Sequence, residues 1–168
     1  MNGLKEDFSK LKGNLIFNEW RRRHGDTIFS YAFNSVEDQR LGKWHFGFYD
    51  KTSQKVTSFA VDGDLIENLG EDDVFSEDGQ VFEASIDSVK MPILEMFDRI
   101  IDFVSRKYPH DTVGKIIMVL QHIPKFGNIW NITLVTKSMN TINLKVDPVT
   151  GEVKFHKLMS LFDFKTSK

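Results

Sequence analysis

Hydrophobic and polar residues alternate in the second half of the chain, from Trp130 to Leu134 and again from Ile142 to Val146. A period of two residues is typical of a strand that buries one face. Polar turn-forming segments follow each stretch, at 137–140 and 147–151, and the second contains both proline and glycine. Such residues favour tight turns. The pattern therefore predicts three consecutive antiparallel strands, the third beginning at Val153.

Further strands are predicted from alternation or from runs of β-branched and aromatic residues. They lie at 27–34, 43–49, 55–61 and 112–121, and Leu65-Ile66 opens a short additional strand. In the segment 43–49, His45 and Tyr49 occupy the face opposite to the one that carries Trp44, because successive strand residues point to opposite sides.

Apolar residues at helical spacing predict two amphipathic helices. The first covers residues 4 to 23 and the second covers residues 91–107. Arg21, Arg22 and Arg23 suit the end of the first helix, where cations meet the negative end of the helix dipole.

The two halves of the chain resemble each other. Trp44 and Trp130 are 86 residues apart, and Asp26-Thr27 precedes Asp111-Thr112 by 85 residues. A nearly constant offset across landmarks indicates an internal duplication. The predicted class is α+β, with two α-β-β-β(-β) repeats, each a cystatin-like antiparallel sheet with one covering helix. The repeats occupy residues 1–66 and 89–168, an acidic connector occupies 67–88, and the whole forms one compact unit; the repeats share one sheet or form two packed sheets.

The duplication makes a specific prediction for the core. Trp44 and Trp130 should start equivalent strands and point towards the helices, and their strand neighbours should be buried with them. The expected helix contacts are Phe8, Leu11 and Leu15 over Trp44, and Ile93, Met96 and Ile100 over Trp130. The alternative is that the two tryptophans form an exposed recognition site.

The end of the second predicted repeat carries a turn signature. Val146-Asp147-Pro148-Val149-Thr150-Gly151-Glu152-Val153 closes a helix-and-strands unit that spans residues 91–157. This order resembles the PepSY-like and broader cystatin-like modules, in which a helix packs on an antiparallel sheet. The resemblance implies a non-catalytic role, such as that of a propeptide-type inhibitor, a sensor or an interaction domain. The first half departs from the signature, because Val61-Asp62 leads into a shorter turn.

Composition restricts the chemistry and predicts a folded, soluble protein. The chain has 168 residues, of which 40% are hydrophobic and 15 are phenylalanine, and it contains no cysteine. Disulfides, thiolate catalysis and cysteine-ligated zinc are therefore excluded. The charged N-terminus lacks the apolar core of a signal peptide, and no window is apolar enough to predict a membrane span. The expectation is a cytoplasmic protein without a membrane partner.

Negative charge is concentrated between residues 62 and 89. This segment holds ten acidic residues and no lysine or arginine, so the rest of the chain carries a net charge of +8 within an overall charge of −2. One interpretation is a solvated connector. The other is a strap across basic surfaces, or a cover for the binding site of a basic partner.

The sequence contains no motif that predicts catalysis, a metal site or a cofactor. The five histidines form no metal-binding pattern, and no phosphate-binding glycine loop or nucleophile motif occurs. The candidate binding surface consists of His45, Tyr49, Arg21, Arg22 and Arg23.

Three functions remain open. The first is a non-enzymatic module that recognises a protein or peptide at a sheet face or edge. The second is a small-ligand binder or enzyme with a pocket between helix and sheet. The third is a nucleic-acid binder that uses the basic portion, which the absence of an aromatic and basic stripe disfavours. Unpaired edge strands would favour a homo-oligomer.

Overall fold

The computed structural model describes residues 3–74 and 79–162. In these residues the fold is α+β: nine antiparallel strands form a single sheet, and three α-helices pack against it. The helices are α1 (Leu4–Lys12), α2 (Leu15–Arg23) and α3 (Ile93–Lys107). The strands are β1 (Thr27–Glu37), β2 (Arg40–Leu41), β3 (Trp44–Asp50), β4 (Lys55–Asp62), β5 (Leu65–Asp73), β6 (Val113–Ile123), β7 (Gly127–Thr136), β8 (Asn140–Val146) and β9 (Val153–Ser160).

Strand order places β1 and β6 at the centre of the sheet. The order is β5-β4-β3-β1-β6-β7-β8-β9, and the short β2 pairs only with β1. The predicted α+β class is confirmed. The sheet is one continuous layer and is larger than that of a cystatin-like module, so the prediction of a cystatin-like sheet for each half is not met. The duplication stays a prediction.

All three helices lie on the same face of the sheet. The Phe8 ring of α1 lies 5.2 Å from the Phe46 ring, and the Phe17 ring of α2 lies 5.3 Å from the Phe59 ring. The Phe103 ring of α3 lies 5.2 Å from the His156 ring on β9. Strand register places Phe46, Phe59 and His156 on one side of the sheet. This side is called the covered face, and the other side is called the open face.

The tryptophan prediction is confirmed in its main point. Trp44 and Trp130 are each 1% exposed on the covered face, and their ring centroids are 6.1 Å apart. Their predicted neighbours Phe46, Phe48, Ile132 and Leu134 are buried with them, as are Leu11, Met96 and Ile100 from the helices. The core therefore runs continuously beneath all three helices.

The single helix predicted over residues 4 to 23 is wrong. Gly13 ends α1, and Asn14 begins α2, with its Oδ1 atom accepting the backbone N–H groups of Ile16 and Phe17 at 2.8 and 3.4 Å. Asparagine is a favoured N-cap residue because its side chain satisfies otherwise unpaired backbone donors. The break turns Leu15 outwards, where it is 77% exposed, so its predicted contact over Trp44 does not form.

The boundary predicted between residues 66 and 67 falls inside a strand. β5 continues to Asp73 and pairs with β4 along its whole length, although most of its side chains are exposed. Four of the ten acidic residues therefore belong to the edge of the sheet rather than to a connector. Further along the chain, Ala84 N–H donates to the Phe29 carbonyl at 2.9 Å, and Ile86 and Val89 are buried. Residues 79–90 thus pass the end of the sheet to reach α3.

Candidate binding face

The open face presents partly exposed side chains from all the central strands. Hydrophobic and aromatic members are Ile28, Tyr31, Phe33, Tyr49, Val56, Ile117 and Val119, and polar members include His45, Asn131, Asn143 and Lys145. In the described part of the chain, no helix covers this face. Such a mixed composition is typical of the solvated side of an antiparallel sheet, whose other side packs on the core.

A groove with a volume of about 1030 Å³ crosses the open face. We call it the sheet-face groove. Its walls come from β1, β4, β5, the end of β6, β8 and residues 80–82 of the connector. Its lining residues are Ser30, Tyr31, Val56, Asp72, Asp73, Val74, Gln80, Val81, Phe82, Gln121, His122, Ile123, Pro124 and Lys145. A volume of this size is at the upper end of the range for small-ligand pockets.

Tyr31 forms the middle of the groove. Its ring lies over Gly47 of β3, where a Cβ atom would overlap the ring carbons. Only glycine leaves room for this approach. Burial raises the pKa of the Tyr31 hydroxyl, a hydrogen bond with Ser58 opposes the shift, and the charge of Asp72 adds to it. The hydroxyl is therefore neutral and able to hydrogen-bond a ligand near Asp72.

Lys145 occupies the β8 end of the groove. Its ammonium group donates to Asn131 Oδ1 at 2.8 Å and to Asn143 Oδ1 at 2.5 Å. It also lies 5.7 Å from the centroid of the Phe155 ring, within the range of a cation–π contact. Burial lowers the pKa of Lys145. No carboxylate of residues 3–74 and 79–162 forms an ion pair with it.

His122 and Phe82 close the groove near the end of β6. The Phe82 ring lies 5.5 Å from the His122 ring. Phe82 belongs to the connector, and its side chain remains 36% exposed. The connector therefore contacts the sheet at this point, and Phe82 leaves an aromatic surface available to a ligand.

The residues of the predicted binding surface are not brought together. His45 and Tyr49 lie on the open face but outside the groove lining. The His45 ring is 5.5 Å from Phe33, and burial lowers its pKa, with Lys43 adding to the shift and Glu67 opposing it. Arg21, Arg22 and Arg23 are exposed at the end of α2, a helix of the covered face.

Sequence reasoning missed the residues that line the groove, chiefly Tyr31, His122 and Lys145. The sequence did contain a signal for the cluster around Lys145. Asn131, Asn143 and Lys145 are the polar positions of two strands in which polar and hydrophobic residues alternate. Polar positions in such strands are usually solvated, and nothing local distinguishes a clustered set from a dispersed one.

A second, smaller pocket lies on the covered side of the sheet. It has a volume of about 390 Å³ and lies between α1, the start of β1 and the connector. Phe8, Phe29 and Phe48 provide aromatic surface, Lys5, Lys12 and Arg21 provide positive charge, and Glu83 and Asp87 provide negative charge.

Both edges of the sheet are charged. β5 carries four acidic residues and no basic one, whereas β9 carries Lys154 and Lys157 and no acidic residue. Charged side chains on edge strands oppose unspecific pairing with other strands.

Within residues 3–74 and 79–162, no three histidine or acidic side chains are grouped so that they could hold a metal ion. In the same residues, no helix is both long and apolar enough to cross a membrane.

Comparison with known proteins identifies a related fold. No family model matches the chain, and no curated protein matches it. The crystal structure of a "putative lipoprotein" from Clostridium difficile 630 is similar, with a TM-score of 0.52 and 12% sequence identity. The similarity covers 86% of this chain and 90% of that chain. At this identity the likeness concerns the fold, and a shared fold does not establish a shared function.

Proposed function

We propose that the protein is a non-catalytic binding module that holds an extended peptide segment of a protein partner in the sheet-face groove. The observation that carries the proposal is the one-sided placement of the helices. It leaves a mixed aromatic, aliphatic and polar face with a groove across it. Peptide-binding surfaces combine pockets for side chains with groups that hydrogen-bond the main chain. Tyr31, Gln121 and Ser30 offer such groups in the groove.

The charge distribution of the groove favours a peptide over a compact ligand. Asp72 and Asp73 line the end at β5, whereas Lys145 lines the end at β8. Six strand-to-strand steps separate β5 from β8 in the sheet. Each step is about 4.8 Å, so the two strands lie about 29 Å apart along the sheet. An extended chain of about nine residues has this length. An extended peptide of this length with opposite charges near its two ends matches both the length of the groove and the charges at its ends.

The internal duplication fits this proposal as an account of how the sheet arose. Each half places helical sequence before four long strands that follow one another from the centre of the sheet to its edge. These are β1, β3, β4 and β5 in one half and β6, β7, β8 and β9 in the other. We propose that the halves derive from one repeated unit. A non-catalytic role also agrees with the PepSY-like turn signature at residues 146–153.

A peptide selection tests the function directly. Random nine-residue peptides would be displayed and selected on the immobilised full chain, and enriched peptides would be synthesised and titrated. The Phe82→Ala variant should weaken their binding about tenfold, because it removes aromatic surface from the groove wall. Phe162→Ala is the matched control, since Phe162 is exposed and does not line the groove. Failure to enrich any peptide, or peptides that bind both variants equally well, would contradict the proposal.

The pocket of about 390 Å³ supports a second candidate function, the binding of a small aromatic anion. Aromatic surface from Phe8 and Phe48 lies beside the cations Lys12 and Arg21 in this pocket. Ser9 is exposed and lines the pocket, so Ser9→Trp should fill it. Thermal shifts with a panel of aromatic carboxylates should be seen for the natural chain and lost in this variant. If no compound of the panel raises the melting temperature of the natural chain, this second candidate is contradicted.

A further inference from the structure

We infer that Lys145 forms a carboxylate-binding subsite at the β8 end of the sheet-face groove, so that the bound peptide places an acidic side chain or its C-terminal carboxylate there. The inference rests on the proposed function and adds to it the chemical group that the groove recognises at its β8 end.

The ammonium group of Lys145 has unused hydrogen-bonding capacity. A lysine ammonium has three N–H donors. Two are directed to the Oδ1 atoms of Asn131 and Asn143. Both acceptors are neutral amide oxygens, so they leave the positive charge of Lys145 uncompensated. The third donor remains for a ligand that enters the groove, and charge-assisted hydrogen bonds to carboxylates are the stronger kind.

The two asparagines that contact Lys145 are held in place by a hydrogen bond between them and by a backbone carbonyl. The Nδ2 atom of Asn143 donates to Asn131 Oδ1 at 2.9 Å and to the backbone carbonyl of Ile132 at 3.2 Å. These bonds direct the amide oxygen of Asn143 towards Lys145. A lysine that is held in place before the ligand arrives loses less conformational entropy on binding, which favours affinity.

The charges around Lys145 also favour a carboxylate at this end of the groove. The acidic residues of the groove lining, Asp72 and Asp73, lie on β5 at the opposite edge of the strand order. Lys157, on the neighbouring strand β9, adds positive charge beside Asn143. In the described residues, the carboxylates of the groove lining are therefore distant in strand order from Lys145. A peptide carboxylate is favoured at the Lys145 end over the Asp72 end.

A purely structural role for this lysine predicts different behaviour. Lys145 would then only support the asparagine cluster, and its replacement would change stability but not the peptide sequences that bind. The two roles differ in a double-mutant test on the protein and the peptide, because groups in contact show a coupling energy, whereas the effects of distant, independent groups add.

The test uses the peptides that the natural full chain selects. Each is titrated against the natural chain, against Lys145→Gln and against Lys107→Gln, a matched control at the exposed end of α3. The carboxylates of the peptide are then neutralised one at a time, by Asp→Asn, Glu→Gln or C-terminal amidation. These arms distinguish a side-chain carboxylate from the C-terminal one.

We expect Lys145→Gln to weaken binding about tenfold and Lys107→Gln to leave it unchanged. For one of the neutralised peptides, binding to the natural chain should weaken by the same factor. Neutralising that peptide should not weaken its binding to Lys145→Gln any further. Peptides that depend on Phe82 but bind Lys145→Gln normally would overturn the subsite while leaving the proposed function standing. Failure to select any peptide would overturn both. Unfolding midpoints of the variants, with Lys145→Met as a second substitution, show whether a loss of binding reflects a loss of folding.

Discussion

The two faces of the sheet are built from the same strands but differ in what their side chains do. On β7 and β8, Ile132, Leu134 and Leu144 are fully buried on the covered face, whereas Asn131 and Asn143 form a polar cluster on the open face. A sheet needs only one apolar face to fold, because burying that face against helices supplies most of the hydrophobic stabilisation. The other face is then free to carry chemistry that contributes little to stability.

This difference implies a division of roles. Substitutions on the covered face should reduce the free energy of unfolding, and substitutions on the open face should change ligand binding.

The largest loss is expected from Trp130→Ala or Trp44→Ala. Both side chains are buried on the covered face, and truncating a buried aromatic residue costs about 3–5 kcal/mol. Denaturant unfolding of each single variant measures the loss, with Tyr49→Ala on the open face as the comparison. Unshifted midpoints for both tryptophan variants would break the assignment of these residues to the core and would favour an aromatic recognition site.

Gly47→Ala should cause an intermediate loss although it lies on the open face. The new methyl group would overlap the Tyr31 ring, and overpacking of this kind costs about 1–3 kcal/mol. Chemical unfolding of Gly47→Ala alone and combined with Tyr31→Ala sharpens the comparison. The penalty should disappear when the ring is absent. An equal penalty in both backgrounds would place its origin in the backbone rather than in the contact.

A smaller loss, about 1 kcal/mol, is expected for Asn14→Ala. The substitution removes the acceptor for the first N–H groups of α2 and loosens one end of the helical layer on the covered face. Thermal unfolding followed by circular dichroism checks it against Glu19→Ala, which is exposed on the same helix. Equal melting temperatures for the two variants would show that Asn14 does not stabilise the break between α1 and α2.

The smallest effect is expected for Lys145→Met, within about 1 kcal/mol at pH 7. Its pH dependence has a definite sign. Because burial lowers the pKa of Lys145 in the folded state, the charged lysine destabilises the fold at pH values below that pKa. As the pH rises towards the ordinary value of 10.5, the folded protein loses this proton before the unfolded chain does. The natural chain should therefore gain stability relative to Lys145→Met as the pH rises. Urea unfolding of both proteins between pH 7 and pH 10.5 measures this, and an opposite slope would contradict the burial of the ammonium group.

The sequence predicted the elements in which hydrophobic residues recur with the period of a strand or a helix. It missed features that depend on backbone pairing or on a single side-chain hydrogen bond. Strands β7 and β8 follow from alternation, and α3 follows from a helical apolar stripe. The short strand predicted to open at Leu65-Ile66 continues as β5 to Asp73, and this extension was missed because its side chains are mostly acidic and exposed; backbone pairing with β4 holds it in the sheet. The break before Leu15 was missed because apolar residues continue at helical spacing across it, whereas the cap is a local hydrogen bond of Asn14.

The groove could not be predicted from local patterns. It exists because β1 pairs with β6, which joins the two halves into one sheet and places Tyr31 opposite Gln121. These residues are 90 positions apart in the sequence. Pairing between strands so far apart in the sequence does not change the local pattern of hydrophobic and polar residues in either strand. Open-face residues such as His45 could be assigned to a face from the sequence, but their position relative to the groove could not.

The central claim is that the open face binds and the covered face folds the protein, and an NMR titration tests it most directly. The isotope-labelled full chain would be titrated with a selected nine-residue peptide, and the backbone amide shifts would be mapped onto the sheet. The account predicts the largest changes at Tyr31, Gln121 and Lys145, with little change along α3. Changes that concentrate on α3, on the edge strand β9 or around the pocket beneath α1 would contradict it.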